Sequence, residues 1–171
     1  MGRKILCISL MLLLLSGCIS APSSSEKHFV KLYTADPAST SDQVDTVVEV
    51  ELSAAPSPQG IAEAYRDTFF NTKDAPAHLP KLGWRSVSMD KQGMVTIDFT
   101  TDGLTRVSQG SYTESTTLMG LAKSIILGDP KVDAVSYSVE GKEYASGHFV
   151  FELGVPFLTR EQLKEEMGRS A

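Results

Sequence analysis

The sequence predicts an α+β fold: a small mixed β-sheet with two main helices packed on one face, extended by a C-terminal strand and helix. Three observations predict it. Period-two alternation recurs along the chain, as where Val95, Ile97 and Phe99 alternate with Thr96 and Asp98. Other stretches carry apolar residues at helical spacing and open on capping signals. The chain has 171 residues, 42% of them hydrophobic, enough for one domain with its own core.

The elements follow in order. His28–Tyr33 alternates, with Phe29 or Val30 and Leu32 available for the core, and Val44–Leu52 places Val48, Val50 and Leu52 on one face. Asp36-Pro37 and the polar residues after it read as the connecting loop. Ser57-Pro58 starts a helix, serine as cap and proline at the first position, with Ile61, Tyr65, Thr68 and Phe69 on one face. Gly83–Met89 and Met94–Thr100 form a hairpin around Asp90-Lys91-Gln92-Gly93, with glycine where positive φ is needed. Ser111-Tyr-Thr-Glu114 reads as a capping box opening the second helix, whose stripe is Leu118, Leu121, Ala122 and Ile125. Gly128-Asp129-Pro130 is expected to close it, glycine in the left-handed position. Val135, Tyr137 and Val139 alternate with Ser136 and Ser138. After a turn at Glu140-Gly141-Lys142, Phe149, Phe151 and Leu153 alternate again, which predicts a further strand pair. Thr159-Arg-Glu-Gln162 is a second capping box, with Leu158 and Leu163 placed as a hydrophobic staple for a short last helix.

The first residues have a different character. Arg3 and Lys4 precede the apolar run Ile5–Leu15, and Leu15-Ser16-Gly17-Cys18 follows. A positive start, a short apolar run and small residues at a cut describe a secretory signal peptide. The run is roughly half the length that a spanning helix needs. Leu-Ser-Gly-Cys resembles the lipobox of bacterial lipoproteins, which implies cleavage between Gly17 and Cys18 and acylation of the Cys18 thiol. Stable anchoring takes more than one chain, and lipoprotein processing supplies more than one. Ile19 stands where aspartate signals inner-membrane retention. The expected location is therefore the outer membrane in a two-membrane cell and the outer face of the plasma membrane otherwise. Residues 18–27, with Ala21-Pro22-Ser23-Ser24-Ser25, read as a lipidated flexible tether.

Composition narrows the function. Loss of Arg3 and Lys4 with the leader leaves 14 basic against 21 acidic side chains. Such a chain lacks the basic footprint that nucleic acid asks for. With Cys7 removed and Cys18 acylated, neither of the two cysteines remains for a disulfide, thiol catalysis or a metal.

From about Val30 to Lys142, two-thirds of the chain, the pattern resembles the GerMN domain of GerM-type sporulation and germination proteins. The carriers are Val30-Lys-Leu-Tyr33, the helix around Gly60–Phe69, Val95-Thr-Ile-Asp-Phe99, the helix Leu118–Ile126, Lys131-Val-Asp-Ala-Val135 and Val139-Glu-Gly-Lys142. Thr100 stands where the family has serine, residues 37–45 and 71–82 match weakly, and the tail beyond Tyr144 lies outside. The resemblance implies a GerMN-like domain over 28–143, with 144–171 packing on it. It implies a non-enzymatic interaction domain, similar to the ring-building modules of envelope secretion complexes. Such a domain scaffolds assemblies outside the plasma membrane, including during spore formation, by self-association or as a monomeric assembly factor.

Sites of chemistry are few. His28, His78 and His148 sit in unrelated elements without a metal-binding spacing, so no metal, cofactor or catalytic residue is expected. No serine lies in a nucleophile motif, and Ser111 is accounted for as a helix cap. Asp98 and Asp102 are candidate paired acids, against a reading of Asp98 on a polar strand face and Asp102-Gly103 in a turn. Trp84 is either a contact for a partner or glycan or a core residue at a strand start. The expectation is a membrane-anchored envelope scaffold. The alternative is a lipoprotein binding a small ligand or peptidoglycan fragment through Trp84.

Overall fold

The computed structural model describes residues 26–35, 44 and 46–169. The signal segment, Gly17, Cys18, most of the tether and the loop at Asp36-Pro37 lie outside the described residues. The elements are β1 (His28–Thr34), β2 (Thr46–Leu52), α1 (Pro58–Phe69), β3 (Trp84–Met89), β4 (Met94–Phe99) and α2 (Thr101–Val107). They continue with α3 (Ser111–Gly128), β5 (Ala134–Val139), β6 (Lys142–Ala145), β7 (Val150–Phe151), β8 (Leu158–Thr159) and α4 (Arg160–Arg169).

The fold is α+β, as the alternation and helical spacing predict, with its strands divided between two sheets. β1 and β2 form an antiparallel ribbon of their own. The other strands make a six-stranded mixed sheet, β3-β4-β5-β6-β7, with β8 also on β5. β4 and β5 are parallel, joined by the α2–α3 crossover. Val30 and Leu32 turn inward while Phe29 stays 51% exposed, which settles the register of β1.

α3 lies between ribbon and sheet. On one side the Ser124 hydroxyl accepts the Tyr33 amide of β1 at 2.8 Å. On the other, the Tyr137 phenol of β5 donates to the Leu118 carbonyl. The helix is accordingly buried on nearly all sides, Thr116, Lys123 and Ser124 included. Phe99, Tyr137, Tyr144, Phe151 and Phe157 form a ring cluster with neighbouring centroids 5.0–6.2 Å apart.

Ser57 caps α1 as its sequence predicts, its hydroxyl accepting the Gly60 amide at 3.2 Å. The β3–β4 turn has Gly93 at φ +80°, and Asp90 accepts the amides of Gln92 and Met94 at 2.9 Å. The second capping box also forms. Gln162 Oε1 accepts the Thr159 amide at 2.8 Å, and Thr159 Oγ1 accepts the Gln162 amide at 3.2 Å. Leu158 and Leu163 are both buried beside it.

Four local expectations are corrected, and the alternating serines of β5 prove to be buried. The Ser111–Glu114 box does not form: Gly110 is the cap, at φ +152°, with no side-chain bond. Glu114 instead turns into the core to meet Tyr144 and His148. Gly128 is the last helical residue and has no left-handed φ. What it supplies is space, since a Cβ there would lie 2.8 Å from Val30 Cγ2 and Ile61 Cδ1. Asp102-Gly103 is no turn but the start of α2, capped by Thr100, whose hydroxyl accepts the Gly103 amide at 3.0 Å. Ser136 and Ser138 are buried because β5 is an inner strand covered on both faces. Of the predicted Phe149–Leu153 strand only Val150–Phe151 pairs, and Leu153 is 57% exposed.

The two boxes give opposite expectations. Thr159→Ala should cost about 1 kcal/mol, a usual loss for an N-cap, whereas Ser111→Ala should be close to neutral. Chemical denaturation of both variants checks this, and equal losses would contradict the cap assignments.

The C-terminal segment is clamped by Arg160. Its Nε donates to the Val132 carbonyl at 3.0 Å and its Nη2 to the Asp129 carbonyl at 2.9 Å, with the Ile126 carbonyl also in reach. A guanidinium thus closes the negative end of α3.

Candidate functional site

Asp98 was a candidate acid, and its surroundings give it structural work. It is 8% exposed on β4. One oxygen accepts the Ser138 hydroxyl and the Gly141 amide, both at 2.8 Å. Arg85 of β3 stands 3.5 Å from the other oxygen and 3.6 Å from Glu140. Glu140 in turn accepts the Thr101 amide at the start of α2. One carboxylate therefore ties β4 to β5, to the β5–β6 turn and to β3. Asp102 is exposed in the first turn of α2, where an acid suits the helix dipole.

A second carboxylate is buried more deeply. Glu114 is 0% exposed. Its Oε1 accepts the Tyr144 phenol at 2.6 Å, and its Oε2 lies 2.7 Å from His148 Nδ1. Burial, then the Glu114 carboxylate, pushes the Tyr144 phenol far above its ordinary range, so it remains a donor. A buried carboxyl group bonded at both oxygens in this way pins the β6–β7 hairpin to α3.

Of the other histidines, His78 is exposed in the loop before β3 and His28 begins β1. Among the described residues no three of His, Cys, Asp and Glu are grouped to hold a metal ion. No described helix is long and apolar enough to cross a membrane. Trp84 is half-buried against the core, with the Arg66 guanidinium 5.3 Å from its ring. It lines neither of the two concavities described next.

One cavity of about 350 Å³ opens between the end of β2 and α1, lined by Leu52, Ser57, Glu63 and Asp67. Another, of about 270 Å³, lies within the loop joining α1 to β3, lined by Phe70, Lys73, Pro80, Lys81 and Arg106. Sequence reading missed this second place, because Arg106 reaches it from α2, far along the chain.

The ribbon offers a different kind of surface. Because the Tyr33 amide points to Ser124, its cross-strand partner Val47 also points its backbone groups away from β1. The same alternation turns the N–H and C=O of Glu49 and Glu51 outward. Among the described residues nothing pairs with that edge of β2. The side chains of Val47, Glu49 and Glu51 are exposed there, across from exposed Phe29 and Lys31.

No family model matches the chain, and no curated protein does. Among solved structures, the tandem GerMN domains of the sporulation protein GerM from Bacillus subtilis resemble it with a TM-score of 0.52 and 17% identity. That likeness covers 80% of this chain and 47% of the other, so this chain spans about half the length of the tandem structure. The first GerMN domain of the same protein gives a TM-score of 0.46 and 18% identity, over 78% and 98% of the two chains. A provisionally assigned lipoprotein from Clostridium perfringens gives 0.46 and 17%, over 79% and 89%. From Val30 to Val139 the ribbon, the helices and the parallel β4–β5 pair occupy the order that the sequence resemblance implies, and the chain has a GerMN-like fold.

Proposed function

We propose that this protein is a lipid-anchored, non-enzymatic interaction module of the cell envelope, tethered through Cys18 and assembling with other envelope proteins. The observation that supports it is the open edge of β2. Among the described residues no strand pairs with the outward backbone groups of Val47, Glu49 and Glu51, on a GerMN-like domain. An exposed edge recruits an extended segment by strand addition, the backbone giving affinity and the side chains giving choice. Glu49 and Glu51 favour a partner strand with basic side chains and disfavour another acidic one. The tandem GerMN structure comes from a sporulation protein, which makes assemblies formed in sporulation or germination the first setting to test.

Two measurements in cells test the reading. A clickable fatty acid should label the protein, and Cys18→Ala should abolish both the label and membrane fractionation. A photocrosslinking residue at Glu49 should give a discrete adduct with an envelope protein, and one at Lys91, in the β3–β4 turn, should not. An unlabelled, soluble wild-type protein removes the anchor from the proposal. Indistinguishable crosslinks from both positions remove the edge.

A further inference from the structure

We propose that the loop between α1 and β3 is a binding site for a small oxyanion-bearing ligand, a carboxylate or a phosphate ester, held by Lys73, Lys81 and Arg106. The site stands apart from the assembly reading and from the β2 edge.

The loop is built. Residues 70–83 contain neither helix nor strand, and so long a connection without secondary structure of its own is uncommon inside a compact domain. Its ends are tied to each other. Asn71 Nδ2 donates to the Leu82 carbonyl and the Leu82 amide donates to Asn71 Oδ1, both at 3.1 Å. Two inner turns, Ala75 to Thr72 and Leu79 to Pro76, shape the rest. A compact loop with joined ends is an Ω-loop, a form frequently used for binding.

The loop encloses space of the right kind. Its cavity of about 270 Å³ is small beside the pockets that hold drug-sized molecules, and it suits a ligand the size of one sugar. Phe70, Pro76, Leu79 and Pro80 form an apolar wall. The Arg106 guanidinium lies over the Phe70 ring, 5.2 Å from its centroid, which fixes the cation at the rim.

The charge is one-signed. Among the described residues, Lys73, Lys81 and Arg106 line the cavity and no carboxylate does. Asp74, the acid of this loop, is not among the lining residues. Among the described residues neither Lys73 nor Lys81 makes an ion pair or side-chain hydrogen bond. This occurs in a chain of net charge −5, where a cation meets an acid more readily than another cation. A recess lined by one sign concentrates the opposite charge from solution.

The test is calorimetric titration of the purified full-length protein in uncharged detergent. The probes are glycerol 1-phosphate and N-acetylmuramic acid, with N-acetylglucosamine as the neutral control. At least one anionic probe should bind and the neutral sugar should not. Lys73→Gln combined with Lys81→Gln should weaken binding roughly tenfold or more, by loss of charge-assisted hydrogen bonds. Both lysines are exposed, so the melting temperature should not move. Arg106→Gln provides a second, independent loss. Binding of the phosphate alone assigns a phosphate-ester ligand, and of the sugar acid alone a carboxylate ligand. Absence of binding by both anions at millimolar concentration, or undiminished binding in the double-lysine variant, overturns the proposal. Neither result touches the edge of β2, so the two readings fail separately.

Discussion

Gly120→Val is expected to destabilise the fold by about 3 kcal/mol, the upper part of the usual range for overpacking. A Cβ at this position would lie 2.4 Å from the Tyr33 carbonyl oxygen and 2.6 Å from Tyr65 Oη. The first of these is backbone, in a strand paired along its whole length with β2, so it moves only if the ribbon moves. Glycine is a poor helix residue, by about 1 kcal/mol relative to alanine. Its presence in the middle of an 18-residue helix therefore records the stronger demand for close approach. For a domain of this size the loss lowers the melting temperature by roughly 6–12 °C. Gly147→Ala is the control, since among the described residues nothing lies within 4 Å of a Cβ there. Thermal melts of both variants decide it, and a Gly120→Val midpoint matching the wild type would show that ribbon and helix are not in contact.

Glu114→Ala should cost about as much, roughly 3 kcal/mol, by a different route. The truncation leaves the Tyr144 phenol buried without its acceptor, a loss of about 1–3 kcal/mol. It also opens a void where a fully buried side chain stood. His148 recovers part of its loss, because a third of its side chain already meets water. Glu114→Gln keeps an acceptor for Tyr144 and should lose clearly less. Denaturant midpoints of the two variants measure the difference. A Glu114→Ala protein as stable as the wild type would mean that the carboxylate does not hold the β6–β7 hairpin.

Glu114 also shows where local sequence reading stops. Strands with one face on the core were legible, because alternation at Val95, Ile97 and Phe99 reports burial directly. Ser57-Pro58, the Asp90–Gly93 turn and the Thr159–Gln162 box were legible because their bonds close within a few residues. Glu114 satisfies the same capping signature, but two distant partners outcompete the backbone amide, and neither is visible from four letters of sequence. Helix α2 is seven residues long and contains a glycine, too short for periodicity and poor in propensity. Its Gly103 is required because a Cβ there would fall 1.9 Å from the Gly83 carbonyl oxygen. Division of the strands into ribbon and sheet depends on pairing across the chain, which alternation alone does not encode. The candidate oxyanion site was hidden for the same reason, since Arg106 and the loop meet only in the folded protein.

Arg160 has a bearing on when the molecule can become itself. A growing chain that has reached Val139 already contains both helices of the core and the parallel pair β4–β5. It still lacks the guanidinium that closes α3 and the strand β8 that pairs with the start of β5. Until residue 160 arrives, the carbonyls of Asp129 and Val132 have no Arg160 to meet them. Completion of the native state is thereby deferred to a late stretch of the polypeptide.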